Sequence, residues 1–345
     1  MNKKPYFMLF ACCPVIKGHT RSLIYDLQRN KFKYIPNMLY DILKMCNSQP
    51  VEQVMSMYDH EEDEGIMTYL EALVEEELGF FTDSPHQFPP LPLDYEYPGV
   101  ISTTIIEYDD HSSYDLFDLL TELEQLRCKV VQIRYFGASW ERLQALAKRL
   151  KSSYLYIADV MLPYESHMTL DSLAKLLISE HRISPLMIYD CPESLVAGME
   201  QQTNFVKSRL VATRQSFEPA KVPEFINEYQ FTVNTEFYTE AHHFNTGLNT
   251  KVCVDAQGQI KNHIDHQQVF GQVGKDDLAA VVQGSDFRKM WHITNDQIQV
   301  CKDCEYRYMC LDNTEIVMDE DGYRKVKECV YQVYEGVWGD QPELV

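Results

Sequence analysis

The amino-acid sequence predicts an α/β protein of three parts, and three observations lead to this prediction. Strand patterns alternate with helical patterns from about residue 99 to residue 235, which is typical of βαβ units on a parallel sheet. A proline-rich segment at 85–98 separates this region from an N-terminal part with its own strands and helices. After residue 300, four of the ten cysteines lie within 29 residues of one another.

Charge and hydropathy argue against two kinds of partner. The chain has 345 residues, with 31 Lys and Arg against 52 Asp and Glu, and its net charge of −21 repels nucleic-acid backbones. An apolar run near the N-terminus is short and is interrupted by Pro14 and Lys17, and no apolar stretch of 18 residues follows it. We therefore expect a cytoplasmic chain without nucleic-acid or membrane partners.

Strands are predicted at the beginning of the N-terminal part, residues 1–84. Two strand-like runs at 6–14 and 21–27 are joined through Lys17-Gly18-His19, a plausible hairpin connection, and a third short run covers 33–35. The pattern therefore indicates a small antiparallel sheet.

Helices follow these strands. Asn37 is placed to cap a helix over 38–46, and a second helix is predicted over 66–78, with the acidic run 61–64 near its start. Strands followed by helices in this order resemble a winged-helix fold. Such a domain can be a folded cap, or it can bind a peptide by adding it to an exposed strand edge.

Residues 99–235 are predicted to form the parallel sheet. Strand patterns cover residues 100–108, 129–136, 154–161 and 186–189, and helical patterns cover residues 114–127, 139–151 and 169–181. Either a partial barrel or an open sheet fits this alternation. The region before it, 85–98, begins with four prolines in nine residues and is interpreted as an extended linker.

In folds of this kind, catalytic residues lie in the loops that follow the strands. Asp109, Asp110 and His111 follow the first strand and could act as acid or base, but no nucleophile lies beside them in the sequence. No glycine-rich phosphate loop follows any strand, so nucleotide binding has no support. These residues are interpreted as polar loop residues, and no catalytic residue is predicted.

The strongest motif lies in the third part, residues 236–345. Cys301, Cys304 and Cys310 have the spacing C-x2-C-x5-C, and Cys329 follows. Four thiolates form a complete tetrahedral ligand set for zinc or for an iron–sulfur cluster, and ligand softness alone does not choose between them. The basic residues of these segments, which would offset thiolate charge, are Lys302, Arg307, Lys325 and Lys327.

Five other cysteines have apolar or helical surroundings in the sequence. They are interpreted as small core residues, because free cysteine packs as a hydrophobic side chain. This set comprises Cys12, Cys13, Cys46, Cys128 and Cys191.

The same C-terminal residues resemble a known domain. The order of Gly258-x4-His263, then C-x2-C-x5-C, then Cys329 resembles the SPASM domain, the C-terminal extension of radical S-adenosylmethionine peptide-modifying enzymes. Residues 21–29, 34–37, 259–262 and 291–307 resemble the maturase of grasp-with-spasm systems. In those systems such a protein acts with an ATP-grasp peptide ligase on a ribosomally made precursor peptide. The resemblance extends from about residue 5 to residue 339.

The resemblance implies one auxiliary 4Fe-4S cluster, with zinc as the alternative, on Cys301, Cys304, Cys310 and Cys329. The family's second auxiliary cluster is incomplete here, because histidines stand at or near the positions of its cysteines. What is left is a loose group, for which a degenerate zinc site and ordinary surface or core residues are both open. Its members are His242, His243, Cys253, His263 and His266.

Radical chemistry by this chain alone is not expected. The family binds its reducing cluster with C-x3-C-x2-C in the loop after the first barrel strand, but the loop at 108–113 contains no cysteine. Cys12 and Cys13 are adjacent and cannot supply that spacing. The middle part is therefore interpreted as a degenerate radical SAM-like partial barrel, and S-adenosylmethionine is not expected as a cofactor.

Two functions are left open by the sequence. In the first, the chain is a non-catalytic adaptor: the winged-helix-like part binds the precursor peptide, the SPASM-like part carries the metal, and an ATP-grasp ligase performs the chemistry. In the second, it is a metalloenzyme that uses the C-terminal metal for redox or hydrolytic chemistry on a peptide. A four-thiolate site without an open position is usually structural, which favours the adaptor. Exposed Asp109 and His111 beside a cleft would favour the enzyme.

Overall fold

The strands of the chain pair into one eight-stranded sheet and four small sheets within the part that the structure describes. The structure is a computed structural model, and it describes residues 5–137, 139–200, 208–222 and 231–339.

The N-terminal sheet contains a predicted hairpin but divides the first predicted strand. Strands β2 (Val15–Lys17), β3 (Ser22–Asp26) and β4 (Lys31–Ile35) form an antiparallel sheet, whereas β1 (Tyr6–Leu9) pairs with β5 (Gly79–Thr82). The hairpin connection through Gly18 is confirmed between β2 and β3. A single strand over 6–14 is wrong, because the chain turns after β1, where the Cys13 N–H donates to the Phe10 carbonyl (2.8 Å).

Three helices cover this part: α1 (Asn37–Cys46), α2 (Val51–Ser56) and α3 (Asp63–Glu75). The predicted cap at Asn37 is wrong, since Pro36 occupies the capping position. The Asn37 side chain instead accepts from Ser22 Oγ (2.6 Å) and donates to the carbonyls of Gly18 and His19. It thereby holds α1 against the β2–β3 turn. Helix α2, with six residues, is too short to give a periodic signal.

The large sheet confirms an α/β fold with parallel strands. Its parallel strands are β6 (Thr103–Asp109), β7 (Val130–Phe136), β8 (Ile157–Pro163), β9 (Ile183–Tyr189) and β10 (Leu210–Ala212). The helices between them are α4 (Leu116–Gln125), α5 (Trp140–Leu150), α6 (Leu170–Ser179) and α7 (Glu193–Glu200). Helix α4 shows why these segments are helical: it buries leucines three and four residues apart, at 116, 119, 120 and 123, against the sheet.

The same sheet continues past the boundary predicted at residue 235. After α8 (Thr235–Ala241), β11 (Lys251–Val254) pairs in parallel with β6, and β12 (Gln259–Lys261) and β13 (Gly271–Gln272) extend it antiparallel. The C-terminal region therefore continues the sheet from β6, which lies between β7 and β11.

The remaining elements surround the thiol segments. Helices α9 (Leu278–Gln283) and α10 (Ser285–Arg288) precede the cysteines, and two hairpins follow the first three of them. The hairpin strands are β14 (Ile316–Asp319), β15 (Gly322–Lys325), β16 (Tyr331–Gln332) and β17 (Val337–Trp338). Cys329 lies between the two hairpins. None of the described helices is long and apolar enough to cross a membrane.

Candidate metal centre in the C-terminal region

The four predicted thiols lie in one neighbourhood. Cys301, Cys304, Cys310 and Cys329 are free and half-buried. Cys301 is within electrostatic range of each of the other three sulfurs, and Cys304 is also within range of Cys310. Two segments that are separated in sequence are thus brought together by the fold.

Backbone N–H groups are directed at these sulfurs. The Tyr306 N–H donates to Cys304 Sγ and the Tyr331 N–H donates to Cys329 Sγ, each with an N···S distance of 3.4 Å. The backbone of Asp312 acts in the same direction on Cys310, because it lowers the pKa of that thiol against the effect of burial. Hydrogen bonds of this kind stabilise a thiolate and tune metal-bound sulfur.

Burial raises the pKa of all four thiols. The pKa of Cys301 rises to about 11 and that of Cys310 to about 12, and those of Cys304 and Cys329 are also raised. Without a bound cation the thiols are therefore protonated at neutral pH. A metal that binds here must displace protons, so its affinity must increase with pH.

A buried ion pair lies beside the thiols. The Lys325 ammonium contacts the Asp312 carboxylate and donates to the Asp312 carbonyl (3.2 Å), and both side chains are only 6% exposed. Burial alone would raise the pKa of Asp312, but Lys325 outweighs it and holds that pKa below its usual range. Lys325 also lowers the pKa of Cys301 and Cys310 against the effect of burial. Of the four predicted basic residues, Lys325 thus places its charge next to the sulfurs.

A second buried carboxylate stands within the thiol loop itself. Glu305, directly after Cys304, is fully buried, and its Oε1 accepts from Arg21 Nε at 2.8 Å. The Tyr25 hydroxyl donates to the Glu305 carbonyl (2.6 Å), and Arg307 donates to the Lys17 carbonyl (2.7 Å). These contacts connect the thiol loop to the N-terminal sheet, and nothing in the local sequence pattern indicated them.

The donor set has the chemistry that a soft metal requires: four thiols, N–H donors to sulfur and a nearby cation. Among residues 5–137, 139–200, 208–222 and 231–339, no group of three or more His, Cys, Asp or Glu side chains is arranged so that it could hold a metal ion. The fold thus brings the two thiol segments near one another without arranging the four thiols as a metal site, and metal binding at them stays a prediction.

The weaker histidine group divides into separate contacts, beginning with the pair at the end of α8. The His242 ring stacks on Tyr308, with ring centroids 4.2 Å apart, and burial lowers its pKa. His243 Nε2 lies 2.7 Å from the Leu93 carbonyl, so a protonated Nε2 donates to it. A linker carbonyl thus accounts for His243, whereas His242 is held by aromatic packing and its buried Nε2 has no hydrogen-bond partner among the described residues.

The other members lie on or after β11 and β12. The rings of His263 and His266 are 5.7 Å apart, and His266 Nε2 lies 2.8 Å from the Asn313 carbonyl. Burial lowers the pKa of His266 to about 4, so it is neutral at pH 7 and its Nε2 donates to that carbonyl. Cys253 is buried within β11. The histidine zinc site stays a weaker prediction than the four-cysteine site.

The polar loop after β6 forms a turn. Asp109 Oδ1 accepts from the His111 N–H (2.8 Å) and from Ser112 Oγ (3.1 Å), and Asp110 pairs with Arg142 (3.0 Å). None of the three residues Asp109, Asp110 and His111 lines the large cavity described next. Their contacts fit the interpretation as loop residues.

A cavity of about 1010 Å³ lies between the sheet and the C-terminal region. Side chains of β6 to β9 form one wall, and residues 311–315 and 326–327, which adjoin Cys310 and Cys329, form part of another. The Gln132 amide donates to Asp159 (2.7 Å) and Arg134 Nε donates to Gln132 Oε1 (2.8 Å) on the sheet wall. Sequence reasoning missed this cavity, although two polar residues within the buried strand β7 were a signal.

Comparison with known proteins identifies no family. No family model matches the chain, and no curated protein matches it. Among solved structures, the chain is similar to Streptococcus suis SuiB bound to S-adenosylmethionine (11% identity, TM-score 0.28), to SuiB itself (10%, 0.26) and to SuiB bound to precursor peptide SuiA (8%, 0.26). Each match covers 88% of this chain and 94% of the other. Likeness at these values carries no conclusion about fold or function.

The Lys325–Asp312 pair provides a test of the packing beside the thiols. We expect Lys325→Met to lower the free energy of unfolding by about 3–5 kcal/mol, because it leaves Asp312 buried without its cation. The difference in unfolding free energy between Lys325→Met and the wild type should become smaller as the pH falls, since protonation of Asp312 removes the buried charge. Urea unfolding measured at several pH values provides the check.

The neighbouring residue supplies the control for this test. Arg324 pairs with Asp319 on an exposed part of the same hairpin, so Arg324→Met should leave stability nearly unchanged. Adding Asp312→Asn to Lys325→Met should restore most of the loss. Equal effects of Lys325→Met and Arg324→Met would contradict the assignment of a stabilising buried pair.

Proposed function

We propose that this chain is a non-catalytic, peptide-binding component of ribosomal peptide maturation, with one metal centre held by Cys301, Cys304, Cys310 and Cys329. The observation that carries the proposal is that the two thiol segments lie within electrostatic range of each other and that backbone N–H groups donate to the sulfurs of Cys304 and Cys329. The N-terminal three-stranded sheet, in a winged-helix-like domain, supplies the peptide-binding part.

The metal centre is a cross-link in this proposal. A 4Fe-4S cluster or a zinc ion, when bound, would join the 301–310 loop to the segment around Cys329. Four thiolates leave no open coordination position, which suits a structural role. Lys325 and the N–H donors compensate part of the negative charge that the thiolates bring into a buried place.

The middle part lacks the cysteines with which the family binds its reducing cluster. The loop after β6 contains Asp109, Asp110 and His111 but no cysteine, and its side chains bond within the turn or to Arg142. The chemistry on the peptide is therefore assigned to a partner. The resemblance of residues 291–307 to maturases of grasp-with-spasm systems makes that partner an ATP-grasp peptide ligase.

The edge of β4 is the proposed docking place for the precursor peptide. Among the described strands β4 pairs with β3, and an extended segment would add to the sheet along the other side of β4. The end of α3 lies beside it, where Glu76 pairs with Lys33 (2.7 Å) and Glu77 pairs with Arg29. Because α3 carries further acidic residues and no Lys or Arg, a basic peptide segment fits this surface better than an acidic one.

Metal analysis tests the centre. Protein purified without oxygen should contain about four iron and four sulfide per chain and absorb visible light, or else contain about one zinc. Cys304→Ser should reduce the bound metal to background, because it removes one of four ligands. Metal content by mass spectrometry and the visible spectrum give the result.

Cys12→Ser is the matched control, since Cys12 is a half-buried free thiol outside the set. It should leave the metal content unchanged. The metal centre is excluded if anaerobic wild-type protein binds neither iron nor zinc, or if Cys304→Ser and Cys12→Ser bind equal amounts.

Hydrogen exchange tests the docking edge with the full chain. The probe is a synthetic peptide rich in Lys and Arg, chosen because the surface beside β4 is acidic, and it is used at about ten times its dissociation constant. Amides of β4 (Lys31–Ile35) should then exchange about tenfold more slowly, because pairing closes their exposed edge. Strand β14 (Ile316–Asp319), which pairs with β15 alone in a described two-stranded sheet, should be unaffected. Peptide binding without protection of β4 would show that the peptide docks elsewhere.

The large cavity favours one alternative, a metalloenzyme that modifies the peptide itself. Residues that adjoin Cys310 and Cys329 share this cavity with Asp159, so a substrate there would lie close to the metal. For the proposed adaptor, metal-loaded protein and the same peptide without ligase and ATP should leave the peptide mass unchanged. A mass change that Asp159→Asn abolishes while metal content is retained would establish the enzyme instead.

A further inference from the structure

We propose that Arg21 is the positioning residue of the four-thiol set, and that through Arg21 metal binding is linked to the order of the β4 edge. This inference rests on the proposed metal centre and deepens it, because it assigns the link between that centre and the proposed docking edge. It is built from contacts that join residues 284 to 310 positions apart in the sequence.

One guanidinium holds both thiol segments. Arg21 Nε donates to Glu305 Oε1 (2.8 Å), and its Nη2 donates to the hydroxyls of Tyr306 (3.0 Å) and Tyr331 (3.3 Å). Glu305 and Tyr306 belong to the loop between Cys304 and Cys310, whereas Tyr331 follows Cys329. The planar fork of arginine is suited to such simultaneous contacts, and a lysine ammonium is not.

The backbone N–H groups of the same two tyrosines donate hydrogen bonds to cysteine sulfurs. The Tyr306 N–H donates to Cys304 and the Tyr331 N–H donates to Cys329. Arg21 therefore fixes the side chains of the same two residues that aim N–H groups at two of the four thiols. Loss of the hydrogen bonds from Arg21 would allow each N–H to turn away from its sulfur.

The burial of Glu305 makes its ion pair with Arg21 necessary. Glu305 is fully buried, so its carboxylate requires a partner, and Arg21 supplies the cation. The β2–β3 turn closes tightly against it: a Cβ on Gly18 would lie 2.7 Å from Glu305 Oε2 and 2.6 Å from the Arg21 carbonyl oxygen. The turn, the arginine and the loop thus form one packed unit.

Tyr34 connects this unit to the docking edge. Its ring centroid lies 4.1 Å from the Arg21 guanidinium carbon, and its hydroxyl is 2.7 Å from that of Tyr306. Tyr34 belongs to β4, the strand that is proposed to pair with the peptide. A metal that fixes Tyr306 and Tyr331 must therefore also restrain β4, and by linkage a segment docked on β4 must strengthen metal binding.

Thiol reactivity in the metal-free full chain provides the first test. Brief alkylation followed by mass spectrometry reads each cysteine separately. Arg21→Ala should make Cys304 and Cys329 react about tenfold faster, because the local opening becomes easier. Cys128, buried in the large sheet, should not change.

Arg29→Ala is the matched control. Arg29 lies in the same N-terminal sheet and pairs with Asp26 and Glu77, which are both outside the thiol region. Equal alkylation rates in Arg21→Ala and Arg29→Ala would overturn the proposal. Should Arg21→Ala fail to fold, Arg21→Lys serves instead: it retains the charge opposite Glu305 but cannot make all three contacts, so an intermediate rate supports the positioning role and a wild-type rate refutes it.

Cobalt and zinc provide the second test, with readouts that do not depend on activity. Cobalt bound to thiolates absorbs visible light, and Arg21→Ala should weaken its apparent affinity about tenfold while Arg29→Ala does not. Zinc should slow hydrogen exchange in β4 (Lys31–Ile35) of the wild type and have no such effect in Arg21→Ala. Zinc binding without any change in β4 would refute the link.

The two tests separate the failure of this inference from the failure of the proposed function. If neither cobalt nor zinc binds and the anaerobically purified protein also contains no iron, the metal centre is wrong, and the link of β4 to metal binding is refuted with it. The alkylation comparison would then still decide whether Arg21 positions the thiol segments. If metal binds equally well in both arginine variants, the centre stands and the positioning role is refuted.

Discussion

A carboxylate buried inside the thiol loop determines how the two ends of this chain meet. Glu305 is fully enclosed, and removing a charge from water is costly unless a partner with good geometry compensates for it. The compensating cation is Arg21, which belongs to the N-terminal sheet. The thiol loop therefore cannot take up its buried place without the β2–β3 turn. Aromatic rings of Phe231, Tyr331 and Trp338 then pack around Tyr306, next to the ion pair.

A second constraint connects the thiol region to the large sheet. After α8 the chain passes Gly247, where a Cβ would lie 2.2 Å from the Asp312 carbonyl oxygen, so only glycine permits this approach. Strand β11 then pairs with β6, and Asp312 is held by Lys325. The thiols thus lie between two ion pairs. The Arg21–Glu305 pair connects them to the N-terminal sheet, and the Lys325–Asp312 pair connects them to the β14–β15 hairpin. This arrangement explains how segments without regular secondary structure are kept in place.

The periodicity of apolar residues in the sequence predicted those strands and helices that are determined by residues close together in the chain. Alternation of period two and period 3.6 was sufficient for β6 to β9 and α4 to α6. The four-cysteine site that the thiol spacing predicts stays a prediction. The β1–β5 pair and the contact of Arg21 with Glu305 join residues that are far apart in the sequence, so no periodic signal reports them. Asn37 matched the preference for a capping residue, but its tertiary contacts with the β2–β3 turn placed it inside the helix.

The distribution of charge refines what the acidic composition means. Residues 45–126 contain twenty Asp and Glu and no Lys or Arg, whereas charges of the two signs nearly balance in the rest of the chain. This segment comprises α2, α3, the linker, β6 and α4, and it excludes both thiol segments. The repulsion of nucleic acid therefore comes mainly from the surfaces of this segment, and the thiol region lies outside it. Since α3 adjoins β4 through Glu76 and Lys33, the same local excess would draw a basic segment toward the strand edge on which Tyr34 and Arg21 converge.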